Sequence, residues 1–143
     1  MFNPSRDQVR SFFIETWRKH RAREVLTPME TIAADLIGLH PEYHAIVEDP
    51  DAIDRDFTPE DGAINPFLHL SLHLAIEEQL SINQPPGIRA AFDAACERRG
   101  DRHEALHDAL ECLGETLFNA QRSGAQPDGL AYVGCLKRKA GIA

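Results

Sequence analysis

Six of the seven histidines in this sequence lie in pairs spaced by four residues, and a glutamate follows each pair four residues later. Residues four apart face the same side of an α-helix, so two imidazoles can bind one metal ion together. The glutamate one turn further on can supply a third ligand or orient a histidine. Random placement would give about 0.3 such histidine pairs in a chain of this composition. The three triplets are His40-His44-Glu48, His69-His73-Glu77 and His103-His107-Glu111.

The second and third triplets carry the strongest metal-site prediction, because their histidines border apolar stripes on helices that are predicted to face a core. An imidazole in such surroundings needs a hydrogen-bond partner or a metal ion, since burying it unsatisfied costs about 1 to 3 kcal/mol. Imidazole and carboxylate donors without regularly spaced thiolates favour a divalent ion, with zinc or iron foremost. The predicted ligands are His69, His73, His103, His107, Glu77 and Glu111, with the acids as ligands or as hydrogen-bond partners of the histidines.

The first triplet is a weaker candidate, because Pro41 lies between its two histidines. The residue before a proline is biased away from helical geometry, so His40 and His44 need not share a face. The alternative is that His40 caps a helix. Both histidines therefore enter the prediction only as secondary ligands.

Two other functions compete with a helical metal-binding protein. In a non-catalytic interaction or regulatory module, the same histidines would be structural, bonded to glutamates in the bundle or sensing pH. In a zinc hydrolase, the run from His103 to His107 would be an H-E-x-x-H motif with Glu104 as general base. The charged flanks Arg102 and Asp108 and the absence of a predicted sheet disfavour the hydrolase. Whether the protein is an enzyme stays undecided at this point.

The elements that must position these residues are predicted to be helices, because cap residues followed by proline or a carboxylate mark their starts. The run from Phe67 to Leu74 alternates like a strand, but an Asn-Pro start and its leucines favour a helix. We therefore expect an all-α fold, one domain over residues 1–143 with about five to six helices. An acidic loop is expected at about 48–61, with a turn at Thr58-Pro59-Glu60. The predicted starts are Ser5, Thr27, Asn65, Asp101 and Asp128, with a short helix restarting at Pro41.

Composition narrows the class of protein further. A net charge of −8 argues against nucleic-acid binding, which needs an excess of basic residues on the binding face. No apolar run is long enough for a membrane span or a secretory signal, so we expect a cytoplasmic protein without a membrane partner. Cys96, Cys112 and Cys135 show no C-x-x-C spacing, which favours reduced, buried thiols. A homo-oligomer remains open, and no protein partner is indicated.

Three segments together resemble a known family. They are Met1-Phe2-Asn3-Pro4-Ser5-Arg6, His40-Pro41-Glu42-Tyr43-His44, and the run from Asn65-Pro66-Phe67-Leu68-His69 to Gln84-Pro85-Pro86-Gly87-Ile88. The sequence is similar over nearly its full length to an uncharacterised bacterial family catalogued as domain of unknown function 1841. The resemblance implies a small cytosolic bacterial protein and assigns no activity or catalytic residue. The metal site is predicted from the residues alone.

Overall fold

A computed structural model describes residues 5–55, 57 and 65–142, and all regular elements in these ranges are helical. The predicted all-α class is confirmed, with seven α-helices among the described residues against the five to six expected. The count includes the single turn His44–Val47, which follows the 3₁₀ helix Pro41–Tyr43, where a short helix is predicted to restart. No described helix has the length and hydropathy to cross a membrane. The α-helices are α1 (Arg6–Arg21), α2 (Pro28–Gly38), α3 (His44–Val47), α4 (Pro66–Ile82), α5 (Ile88–Arg99), α6 (Arg102–Ser123) and α7 (Gly129–Lys139).

Helix starts lie where the cap residues predicted them. Ser5 and Thr27 both form capping boxes, in which the cap hydroxyl accepts from the backbone N–H three residues later and that residue's side chain accepts in return. Asp101 and Asp128 cap α6 and α7 with their carboxylates. The strand-like alternation at the start of α4 is helical, as the Asn-Pro start predicted.

The chain folds into two compact units, residues 1–74 and 75–143, and α4 begins in the first and ends in the second. In the first unit, α1 packs on α2, and the opening turns of α4 enter the same core. The core consists of large, buried apolar side chains from α1, α2, α3 and the opening turns of α4. They include Phe13, Trp17, Leu36, Ile37, Val47, Phe67 and Leu70.

The segment between α3 and α4 was predicted as an acidic loop. Its described part forms a short 3₁₀ helix, Pro50–Asp54, and Thr58-Pro59-Glu60 lies outside the described residues. The buried guanidinium of Arg10 on α1 holds this segment, because its Nη1 donates to the carbonyl oxygens of Ala52, Ile53 and Arg55 at 3.1, 2.9 and 2.7 Å.

In the second unit, α5, α6 and α7 pack against one another, and a disulfide joins Cys112 on α6 to Cys135 on α7. The expectation of reduced thiols is therefore wrong for these two residues, and only Cys96 is a free thiol among the described cysteines. The pair is 23 residues apart in sequence, so no local spacing reveals it. Packing of α6 against α7 brings the α-carbons of the two cysteines to 5.7 Å, within the usual disulfide range.

Candidate metal centre

His69 and His73 project from the same face of α4, one helical turn apart, as their spacing predicted. Their Nε2 atoms lie 3.2 Å from each other. The ring planes are inclined at 69° with centroids 4.8 Å apart, so the rings meet through their nitrogen-bearing edges rather than by stacking. This is the arrangement that two imidazoles adopt toward a common ion.

His40 reaches the same place from the end of α2, where its backbone caps the 3₁₀ helix Pro41–Tyr43. Its Nδ1–H donates to the carbonyl oxygen of Leu36, 2.7 Å away, which fixes the ring's tautomer because a carbonyl can only accept. The lone pair is therefore on Nε2, which lies 3.2 Å from Nε2 of His69. A backbone carbonyl on the second nitrogen is the usual support of a metal-binding histidine.

The Nε2 atom of His69 lies close to Nε2 of His40 and also to Nε2 of His73. A single hydrogen atom on His69 Nε2 cannot form a good hydrogen bond to both. That nitrogen carries at most one hydrogen, which lies in the ring plane and points toward one partner. Without the hydrogen, His69 presents its lone pair to the lone pair of His40. A cation shared among the nitrogens could satisfy both contacts at once.

The nitrogen separations also match a transition-metal site. Two nitrogens bound to one tetrahedral zinc ion lie about 3.3 Å apart, given Zn–N bonds of about 2.0 Å. One ligand nitrogen from each of His40, His69 and His73 lies within 4.8 Å of the others. We call these three residues the histidine cluster. Their donors are all imidazole nitrogens, which suit zinc, iron, nickel or copper and are poor ligands for magnesium or calcium.

Burial and an aromatic wall make the histidine cluster rigid. His73 is fully buried and His40 nearly so. The ring of Tyr43 stacks on His40 with planes 6° apart and meets His69 edge to face. Burial raises the pKa of the Tyr43 hydroxyl above its ordinary value, so this phenol is neutral near pH 7. Tyr43 thus packs against two of the three imidazoles, and packing of this kind orients the side chains of a binding site.

His44 is directed elsewhere, as the proline between it and His40 suggested. Its Nε2–H donates to the carbonyl oxygen of Ile37 at 2.9 Å, and its ring lies against Trp17 with centroids 4.6 Å apart. The acid of this triplet, Glu48, accepts the indole N–H of Trp17 at 3.0 Å. The first triplet therefore divides, with His40 in the histidine cluster and the other two members around the indole.

In the second unit, His103 and His107 lie side by side on α6 with ring centroids 4.4 Å apart. The prediction that they share an ion with His69 and His73 stays a prediction. The two predicted acidic ligands are engaged by cations: Glu77 pairs with Arg102 at 3.0 Å, and the largely exposed Glu111 pairs with Lys139 at 3.1 Å. Both acids are therefore held by cations of the second unit.

The sequence pattern gave His40 only a secondary place and did not include Tyr43, although the structure brings both next to His69. The signal for His40 was present, since it lies four residues after Leu36 and its side chain can therefore return to that carbonyl at the helix end. Tyr43 lies three residues after His40, and side chains three apart eclipse each other in a 3₁₀ turn. Pro41 opens that turn, so the residue that weakened the prediction is the one that orients His40.

A family model described as Domain of unknown function (DUF1841) matches residues 5–138. No curated protein and no solved structure matches the chain.

Proposed function

We propose that this chain, which belongs to the DUF1841 family, binds a divalent transition-metal ion through the histidine cluster. The observation that carries the proposal is the position of His69 Nε2, 3.2 Å from a ring nitrogen of His40 and of His73. His107 enters as a further ligand on the strength of its sequence pattern, and His103, Glu77 and Glu111 as residues that support the site. Zinc or iron(II) is the proposed ion, and imidazole donors suit zinc best.

The chain's own residues define what such a site does. The carbonyl of Leu36 holds His40 with its lone pair exposed to the ion, and Tyr43 limits the space beside the rings. A divalent ion held by these histidines would supply Lewis-acid chemistry to the site. Imidazole ligands carry no negative charge, so they would not offset the positive charge of the ion. Its Lewis acidity would therefore be stronger than with thiolate or carboxylate ligands.

Metal content of protein purified without a histidine tag tests the proposal. We expect about one zinc or iron ion per chain after dialysis, by mass spectrometry of the elements, and its loss in His69→Ala. His69→Gln keeps a polar side chain and serves as a second variant if the alanine variant does not fold, which circular dichroism checks. His44→Ala is the matched control, since it removes an imidazole that already serves Ile37 and Trp17.

One result would contradict metal binding by the histidine cluster. Untagged protein that is free of metal, takes up none from zinc solution and folds normally would mean that these imidazoles are structural. His107→Ala and His103→Ala extend the test to the second unit: loss of metal in the first variant alone would assign His107 as a ligand.

A structural role for the histidines is the second candidate, and one observation favours it. His40 and His44 both donate ring N–H groups to carbonyl oxygens of the last turn of α2, which has no basic residue of its own. They therefore stabilise a helix end whether or not a metal binds. The zinc hydrolase gains no comparable support, because Glu104 is exposed in the first turn of α6 and the described residues form no strand to hold a substrate.

A further inference from the structure

A cavity of about 510 Å³ opens between α6 and α7, and Cys135 of the disulfide contributes to its wall. The rest of the wall is apolar over most of its surface and carries charged side chains of both signs. The wall residues that the argument uses are Glu115, Asn119, Asp128, Ala131 and Arg138.

The two cysteines of this disulfide differ in burial. Cys112 is fully buried, with no exposed surface, whereas Cys135 is partly exposed. Disulfide exchange requires a thiolate to reach one sulfur and expel the other. An external thiol can therefore approach Cys135 through the cavity, while Cys112 is shielded by the helices around it.

We propose that Cys112–Cys135 is a redox-active disulfide that exchanges with low-molecular-weight thiols of the glutathione class through this cavity. The thiolate attacks Cys135 Sγ, a mixed disulfide forms there, and the bond to Cys112 breaks. The electron pair leaves on Cys112 Sγ, which takes up a proton. A second thiol attacks the small molecule's sulfur in the mixed disulfide, releasing the Cys135 thiol and a small-molecule disulfide. Two thiols are oxidised as one protein disulfide is reduced.

The charges on the cavity wall fit this class of thiol. The guanidinium of Arg138 can bind a carboxylate, and the carboxylates of Glu115 and Asp128 can bind an ammonium group. Asp128 also accepts the backbone N–H of Ala131 as the cap of α7, which keeps one of its oxygens at the cavity edge. A small zwitterionic thiol matches a wall of both signs better than an apolar thiol does.

Reduction is reversible only if α7 stays in place once the disulfide opens. Three residues anchor this helix without the disulfide: Tyr132 and Leu136 are almost fully buried, as is Val133. The Tyr132 hydroxyl also donates to Gln79 Oε1 on α4 at 2.7 Å. We therefore expect the reduced protein to keep its fold and to reoxidise to the same pair.

The trapped mixed disulfide tests the proposal, in a Cys96→Ser background that removes the remaining free thiol. Air-oxidised protein is mixed with excess reduced glutathione under native conditions, quenched with acid and mapped by mass spectrometry. We expect glutathione on Cys135 and a free thiol at Cys112. In single-cysteine variants treated with glutathione disulfide, Cys135 (Cys112→Ser) should react about tenfold faster than Cys112 (Cys135→Ser).

A variant that blocks the cavity tests the route. Ala131→Phe fills the entrance from an exposed position and should slow reduction about tenfold, whereas Ala90→Phe at an exposed site on α5 should not. Three results would overturn the proposal: free thiols at both positions in air-oxidised protein, reduction that occurs only in denaturant, or a mixed disulfide on Cys112.

Discussion

Asp108 on α6 forms an ion pair with Arg99 at the end of α5. Its carboxylate is nearly buried and accepts two hydrogen bonds from the Arg99 guanidinium, at 2.8 and 2.7 Å. Such two-point pairs are stronger than single surface contacts. The Arg99 hydrogen bonds hold the pKa of this carboxyl below its ordinary value.

We expect Asp108→Asn to lower the free energy of unfolding by about 1 kcal/mol at pH 7, because the pair is half open to solvent on the Arg99 side. A depressed pKa in the folded state means that the stabilisation is present above about pH 4, where the unfolded carboxyl titrates, and is lost as pH falls through the folded pKa. Urea unfolding at pH 7 and at several acidic values measures the difference between wild type and variant.

Glu15→Gln is the control for that measurement. Its pair with Arg18 has both side chains half exposed, so this substitution should change the free energy of unfolding much less than Asp108→Asn does. If the difference in unfolding free energy between wild type and Asp108→Asn grew as the pH fell, the ionised Asp108 carboxylate would not be the stabilising group.

At the level of single residues, the sequence predicted that His69 and His73 lie together but not which other side chains join them. The spacing of His69 and His73 sufficed, because helical periodicity alone sets which residues share a face. The position of His40 depends on a hydrogen bond to a carbonyl and a turn after Pro41, which no periodicity describes. Likewise, the pairing of Glu77 with Arg102 depends on how two helices pack, and a sequence pattern carries no such distance.

At the level of elements, helix ends were the best-predicted feature, and α6 shows the physical reason. Gly124 ends this helix in the left-handed region, with φ +71°, a conformation that glycine adopts at little cost. Gly114 lies inside the same helix, where glycine offers no such advantage. In contrast, the link between α6 and α7 through Cys112 and Cys135 was missed, because it follows from packing rather than local sequence.

The two glycines of α6 make a matched pair of opposite predictions. Gly124→Ala should destabilise the protein by about 1 kcal/mol, because a Cβ is unfavourable at positive φ. Gly114→Ala should stabilise it by up to about 1 kcal/mol, since the added Cβ meets no atom within 4 Å and alanine is the better helix former. Thermal unfolding of both variants measures these changes. If the unfolding midpoints of the two variants moved in the same direction by equal amounts, the proposed role of Gly124 at the helix end would be contradicted.

At the level of the whole molecule, a bound metal should stabilise the folded chain by mass action. A free ion at about 100 times its dissociation constant adds about 2.7 kcal/mol, provided that it binds only the folded state. Zinc should therefore raise the unfolding midpoint of the wild type and leave that of His69→Ala unchanged. In hydrogen exchange, we expect slower exchange at 36–44 and 66–74, which carry the histidine cluster and its supporting carbonyl. Slower exchange at 103–110 as well would indicate that His107 also binds the ion. A midpoint that rises equally in His69→Ala would mean that zinc binds outside the histidine cluster.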